Sequence, residues 1–178
     1  VYKRQNQLGT QAHLVAEYIC NRQDISTIRQ EVEHETTQLI NFFHDVSDFL
    51  SPFRTELSLV YKRDDGSIGL VGQADFVGLS SHGNYVLVDF KRVLDKTIAP
   101  DAFSFGKFAK HPALNSLPAN DFYKYSLQQS IYAVLLEQAG LTVERPFVLL
   151  QLDPNVTEYR VIECADMSEQ ARQILDGL

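Results

Sequence analysis

Four consecutive apolar residues, Tyr85-Val86-Leu87-Val88, constrain the fold of this chain more than any other segment. The run follows a turn-forming cluster at 80–84 and shows no alternation of apolar and polar residues. A short unbroken apolar run between turn signals is typical of a strand that is covered on both faces. We therefore predict a central sheet with helices packed on each side.

Helical patterns precede this strand. Apolar residues at spacings of three and four predict helices over 9–21 and 27–49. Thr10 is the expected cap of the first helix, and Pro52 is expected to end the second. Two helices therefore come before the first strand.

The pattern changes to alternation at Glu56, and the turn Asp64-Asp65-Gly66 connects it to a returning strand over 68–79. The rest of the chain predicts helices over 121–139 and 166–176 and strands over 146–152 and 158–162. The order α-α-β-β-β-α-β-β-α predicts an α/β domain around a mixed sheet.

Length and composition bound the class of protein. With 178 residues and no initiator Met, we expect a single domain over 1–178, excised from a longer protein. No apolar run approaches the roughly 18 residues that a membrane span requires. The two cysteines, Cys20 and Cys164, are too few for a disulfide framework and favour a reducing intracellular compartment. The net charge of −7 is unusual for a general polyanion binder.

Two acids interrupt apolar strands, Asp75 in the segment 72–77 and Asp89 at the end of the run 86–88. If the hairpin turns about residue 82, Asp75 faces Asp89. Like charges directly opposite each other destabilise a sheet, and a buried carboxylate pair must hold a proton or a cation. A divalent ion would satisfy both acids.

Two more residues join this pair. Lys91 lies two positions after Asp89, so its side chain emerges on the same face. A first hairpin turning about residue 65 places Glu56 opposite Gln73 or Ala74, within reach of Asp75. The alternative is that these charges are solvated strand ends or an ordinary ion pair. We predict that Asp75, Asp89, Lys91 and Glu56 form a catalytic cluster.

Four segments carry a resemblance to a known family. They are Gly9-Thr10-Gln11-Ala12-His13, Gly72-Gln73-Ala74-Asp75, Val88-Asp89-Phe90-Lys91 and Gln128 to Tyr132. In this order they resemble the motifs of the PD-(D/E)XK nuclease superfamily, and more closely its RecB-like exonuclease branch. The resemblance implies a restriction-endonuclease-like core, α-β-β-β-α-β. Beyond Ala139 it extends to secondary structure alone.

The resemblance also implies roles. Asp75 and Asp89 would be metal ligands, joined by the backbone carbonyl of Phe90 and by His13. Lys91 would position or activate the attacking water and stabilise charge on the phosphate. The expected metal is Mg²⁺ or Mn²⁺, because magnesium prefers oxygen ligands and manganese better tolerates an imidazole. Without the resemblance, His13 reads as a surface residue, and His34 competes with it as a ligand.

Further residues are predicted to contact nucleic acid. Gln128 and Tyr132 share one helix face, and the resemblance implies contact with the nucleic-acid backbone, whereas the spacing alone equally suits core packing. Cations flank the catalytic cluster, namely Arg92, Lys96, Lys107, Lys110 and Lys124. Aromatic residues lie among them, namely Phe103, Phe105, Phe108, Phe122 and Tyr123. Such interleaving is typical of single-strand binding, although a solvated loop shows it too.

The sequence therefore predicts a metal-dependent deoxyribonuclease. The expected partner is DNA, with single strands or duplex ends favoured and RNA left open, and other domains of a longer chain are expected beside it. An alternative is a catalytically inactive nuclease-like module that binds nucleic acid or protein. A third possibility is a hydrolase of another phosphate compound.

Overall fold

The computed structural model describes residues 2–28, 31–94, 96–104 and 106–178, with side chains from residue 7 onward. The helices are α1 (Tyr2–Cys20), α2 (Glu33–Asp45), α3 (Asp121–Gln138) and α4 (Ser168–Asp176). The strands are β1 (Leu50–Lys62), β2 (Ile68–Ser80), β3 (Tyr85–Arg92), β4 (Val148–Leu152) and β5 (Arg160–Glu163). None of the helices in these ranges is long and apolar enough to cross a membrane.

The strands form one mixed sheet in the order β1-β2-β3-β4-β5. All neighbours are antiparallel except β3 and β4, which are parallel and joined through α3. Parallel neighbours require such a crossover. The element order and the mixed sheet confirm the predicted α/β class and the predicted restriction-endonuclease-like core.

Strand β3 is covered on both faces, as its unbroken apolar run predicts. Leu87 packs in a cluster with residues of α3 and α4. Val88 and Phe90 pack in a second cluster with residues of α1 and α2. Asp89 is therefore directed to the α3 face, between two layers that exclude water.

Three predicted boundaries are wrong. Helix α1 begins at Tyr2 rather than at residue 9, so Thr10 lies inside it and does not cap it. Helix α2 covers Glu33–Asp45 rather than 27–49, because the apolar residues near Leu50 belong to the following strand. Pro52 consequently lies within β1, where the register shifts before Arg54. An edge strand tolerates proline at such an irregularity, since it has an unpaired side.

Candidate active site

The candidate site lies where β2 and β3 separate. Their pairing runs from Leu79 opposite Tyr85 to Phe76 opposite Val88, which is the predicted register. At the next position, Asp75 Oδ2 accepts a hydrogen bond from the backbone N–H of Phe90 at 2.9 Å. The carboxylate replaces a backbone carbonyl as the partner of that N–H group. This contact fixes Asp75 at the fork, the point where β2 and β3 separate.

The alternation of β2 is broken at Asp75. Ala74 packs in the α3-side cluster, whereas Phe76 packs in the α1-side cluster. In a regular strand, residues two positions apart point to the same face. The inversion turns the Asp75 side chain away from the regular plane of the sheet and toward α1.

Glu56 shows a matching distortion on β1. It lies between the pairs Thr55–Phe76 and Leu57–Ala74, so it is opposite Asp75 and not opposite Gln73 or Ala74 as predicted. Its φ of 49° is in the left-handed region, which costs a non-glycine residue about 1–3 kcal/mol and is concentrated at functional sites.

His13 completes a group of three potential ligands. Its Nδ1 lies 3.7 Å from Glu56 Oε1 and 3.6 Å from Asp75 Oδ2. One ligand atom each from His13, Glu56 and Asp75 lies within 4.8 Å of the others, among the described residues. Burial and the Asp75 charge raise the pKa of Glu56 above its ordinary value.

The tautomer of His13 makes this group suitable for a cation. Its Nε2 is 2.9 Å from the carbonyl oxygen of Phe90, and a carbonyl only accepts hydrogen bonds, so Nε2 carries the hydrogen. In the neutral form of the ring, Nδ1 carries the lone pair that a cation can bind. This set of acceptors fits a divalent cation, and its imidazole favours manganese over magnesium. The Phe90 carbonyl keeps a second lone pair for the same ion.

Asp89 and Lys91 form an ion pair beside this group, with Nζ and Oδ2 2.6 Å apart. Asp89 is 1% exposed. Burial and the Asp75 charge raise the pKa of Asp89 to about 7, although Lys91 opposes the shift. Burial acts to lower the pKa of Lys91, but Asp89 and Asp75 outweigh it, and the net pKa is raised. Lys91 is therefore a cation at neutral pH.

The structure thus divides the predicted cluster. Asp75 and Glu56 meet His13, whereas Asp89 is paired with Lys91 and lies outside the three-ligand group. His34 lies elsewhere, because its Nδ1 donates to the carbonyl of Pro154 at 2.7 Å. Asp89 Oδ2 contacts Lys91 in this arrangement, and the sharing of one ion by Asp75 and Asp89 stays a prediction.

A cleft of about 580 Å³ is lined by two of the three ligands, His13 and Glu56, and by Phe90. Lys91 and Arg92 line it on the β3 side, and Glu17 lines it on the α1 side. Glu17, which the sequence analysis did not single out, follows His13 by four positions and therefore shares its helix face. The spacing of four residues from His13 is the sequence signal by which Glu17 could have been predicted to line the site.

Arg92 forms a second ion pair, on the other face of β3. Its Nε is 2.5 Å from Glu35 Oε1 on α2; Glu35 is buried and Arg92 is largely buried. Although Arg92 lines the cleft, its charge is matched by Glu35. The structure gives Arg92 a role in joining α2 to the sheet. Its contact with nucleic acid stays a prediction.

Gln128 and Tyr132 lie together on α3. Gln128 Nε2 donates to the Tyr132 hydroxyl at 3.0 Å. Tyr132 is 6% exposed and packs on β2 so closely that a Cβ on Gly72 would lie 2.6 Å from its Cε1. The ring of Tyr132 therefore packs in the core, which is the alternative that the spacing alone allowed. Gln128 is half-buried beside it.

The remaining predicted cations lie on the segment before α3 and in its first turn. Lys107, Lys110 and Lys124 are exposed, and Lys96 pairs with Asp121 at 2.6 Å. Lys91 and Lys124 lie 4.9 and 5.3 Å from the centroid of the same ring, that of Tyr125. Of the aromatic residues, Phe103 and Phe108 are exposed, Phe122 is buried, Tyr123 is half-buried, and Phe105 falls outside the described residues.

Comparisons with known proteins give limited information. No family model matches the sequence, and no curated protein matches it significantly. Among solved structures, a "Putative exonuclease" from Eubacterium rectale superposes with a TM-score of 0.47 and 13% identity, covering 94% of this chain and 64% of that one. The protein SSO0001 gives a TM-score of 0.42 and 15% identity over 85% of this chain and 59% of that one. The chain spans less than two thirds of the length of either protein.

Proposed function

We propose that this chain is a metal-dependent nuclease that hydrolyses DNA phosphodiester bonds, acting at ends or on single strands. The observation that carries the proposal is the set of acceptors at the fork, His13 Nδ1 with the Glu56 and Asp75 carboxylates, next to the Lys91 ammonium. Two carboxylates meet here at a strained backbone position, and Asp75 accepts a hydrogen bond from the Phe90 N–H. A bound divalent cation would offset their negative charge.

His13, Glu56 and Asp75 would hold that cation, with the carbonyl of Phe90 as an additional ligand. The hydrogen bond from His13 Nε2 to Phe90 orients the imidazole, as outer contacts of metal-bound histidines do. In such a site, Mg²⁺ or Mn²⁺ polarises a phosphoryl oxygen and lowers the pKa of a bound water.

Lys91 supplies the positive charge that a phosphate requires. Its raised pKa keeps the ammonium protonated, which suits it to stabilise charge on the phosphate rather than to remove a proton from water. Asp89 holds Lys91 at the edge of the cleft. We propose that Asp89 also contacts the cation when a phosphate takes over its place beside Lys91.

A nuclease-like binding module without turnover is the second candidate. The observation that favours it is the 2.6 Å contact between Lys91 and Asp89, which occupies a carboxylate that the family resemblance assigns to metal. This candidate predicts binding of nucleic acid or protein and no cleavage with any divalent metal.

The test uses the purified chain with end-labelled single-stranded and double-stranded DNA and RNA. Each substrate is incubated with Mn²⁺, with Mg²⁺ and with EDTA, and product lengths are followed over time. We expect metal-dependent cleavage of DNA, faster with Mn²⁺, which Asp75→Asn abolishes and the exposed-acid control Asp24→Asn retains. A folded chain that cleaves none of the substrates would favour the binding module.

A further inference from the structure

The segment between β3 and α3 encloses a second cavity of about 540 Å³, away from the ligand cluster. Lys96, Phe103 and Lys107 line its open side, and Asn120 and Phe122 line its inner wall. This volume is typical of small-molecule and nucleotide sites.

The walls of this cavity are held in place by hydrogen bonds. Gln151 on β4 accepts from the backbone N–H of Ile98 at 3.1 Å and donates to the carbonyl of Lys96 at 2.9 Å. Asn120 donates to the carbonyls of Pro100 and Ala102, at 3.0 and 3.2 Å. The cavity is therefore a built feature and not a gap under an untethered loop.

An exposed aromatic ring, that of Phe103, lines this cavity. Phe103 is 79% exposed, and Phe108 on the same segment is 59% exposed. A ring at the rim of a cavity offers a face on which a planar ligand can stack.

The charge of the surrounding segment identifies the ligand. Residues 91–124 contain six Lys and Arg against three Asp, a net charge of +3, whereas the rest of the chain has ten against twenty, a net charge of −10. Lys91, Arg92 and Lys96 form ion pairs with Asp89, Glu35 and Asp121. The exposed cations Lys107, Lys110 and Lys124 therefore provide the attraction for a polyanion. Planar groups joined by anionic linkers are the bases and phosphates of a nucleic acid.

The cavity is also close to the candidate active site. Asp121, at its edge, precedes Tyr125 by one helical turn, which is about 6 Å along the axis of α3. The Tyr125 ring in turn lies 4.9 Å from Lys91 Nζ. A strand with a phosphate at Lys91 would reach this cavity with a neighbouring nucleotide.

We propose that this cavity is a base-binding subsite for single-stranded nucleic acid, in which an unpaired base stacks on Phe103 and Lys107 neutralises a phosphate. The inference rests on the proposed function, because a phosphate bound at Lys91 sets the direction in which the nucleic-acid strand runs toward this cavity. A single strand is required because duplex bases are already stacked on both faces. An apolar segment of a protein partner is the competing occupant.

The test measures binding of an end-labelled oligothymidylate and of a blunt duplex by fluorescence anisotropy in EDTA, where metal-dependent cleavage cannot occur. Phe103→Ala should weaken single-strand binding by about 5- to 100-fold, the loss that follows removal of one base–aromatic stack, and should leave duplex binding unaffected. Phe103→Trp keeps an aromatic ring at this position and should bind the single strand about as well as wild type. The control Phe49→Ala removes a 53% exposed ring at the opposite end of the sheet and should have no effect.

Charge is tested separately. Lys107→Gln should lower the slope of log affinity against log salt by about 0.7, the contribution of one phosphate contact on a single strand. Equal binding of the oligothymidylate by wild type and Phe103→Ala would overturn the subsite and leave the ring for a protein partner.

Cleavage by the wild-type chain with Mn²⁺ is measured in parallel. Binding that depends on Phe103 without any cleavage would refute the proposed function and retain the subsite. Cleavage together with binding that does not depend on Phe103 would refute the subsite and retain the proposed function.

Discussion

Strand β3 carries two buried ion pairs on opposite faces, and they differ in what surrounds them. Arg92 and Glu35 match one charge with another and join two elements, β3 and α2. Lys91 and Asp89 belong to the same strand, and Asp75 adds a second negative charge beside them. Burial of charge alone therefore does not mark a functional site, whereas an excess of buried charge beside a cleft does.

The largest effect that would sharpen this comparison is on cleavage. Lys91→Ala and Asp89→Asn should each reduce metal-dependent DNA cleavage by about 10²- to 10⁴-fold, since each removes a group proposed to act on the reacting phosphate or its water. Circular dichroism should report an intact fold. Glu35→Gln, on the other face, should retain metal-dependent cleavage at temperatures where it is folded. Equal losses from both faces would contradict the division.

The next effect is on stability, where the substitution at Glu35 should cost more than the substitution at Asp89. Glu35→Ala leaves Arg92 buried without its partner, which should lower the free energy of unfolding by about 3–5 kcal/mol. Urea denaturation monitored by circular dichroism measures this. Asp89→Asn should cost less, because it also removes repulsion from Asp75. A larger cost for Asp89→Asn than for Glu35→Ala would break the comparison.

The smallest effect is a pH dependence, measured in EDTA. The folded-state pKa of Asp89, about 7, is above its unfolded value, so the folded chain binds this proton more tightly. The resulting stability is fully present below the unfolded pKa and is lost as pH rises through about 7. Between pH 5 and pH 8.5, the unfolding free energy of Asp89→Asn should therefore improve relative to wild type by about 2–3 kcal/mol. A difference that is constant with pH would contradict the assigned shift.

Local patterns predicted much of this molecule. The register of β2 and β3 could be predicted because a tight turn at 80–84 fixes which residues face each other, and the structure has that register. The unbroken run 85–88 predicted two covering layers for the same local reason. Both features depend on residues that are close in the sequence.

The parts that could not be predicted depend on tertiary structure. Glu56 was misplaced by one position, because a left-handed residue inside a strand leaves no signature in the sequence. The pair of Glu35 and Arg92 joins residues that are 57 positions apart. The contact of Lys91 with Asp89 competes with metal binding by Asp89. Strand alternation places both side chains on one face, but it does not decide whether Asp89 pairs with Lys91 or with a cation.

The central claim is that His13, Glu56 and Asp75 hold a divalent cation beside Lys91. The most direct measurement is calorimetric titration of Mn²⁺ into the wild-type chain, into Asp75→Asn and into the control Asp24→Asn, with nucleic acid absent. The account predicts a saturable site that Asp24→Asn retains and Asp75→Asn loses. Binding of Mn²⁺ that is as strong in Asp75→Asn as in wild type, or no saturable binding to either, would contradict it.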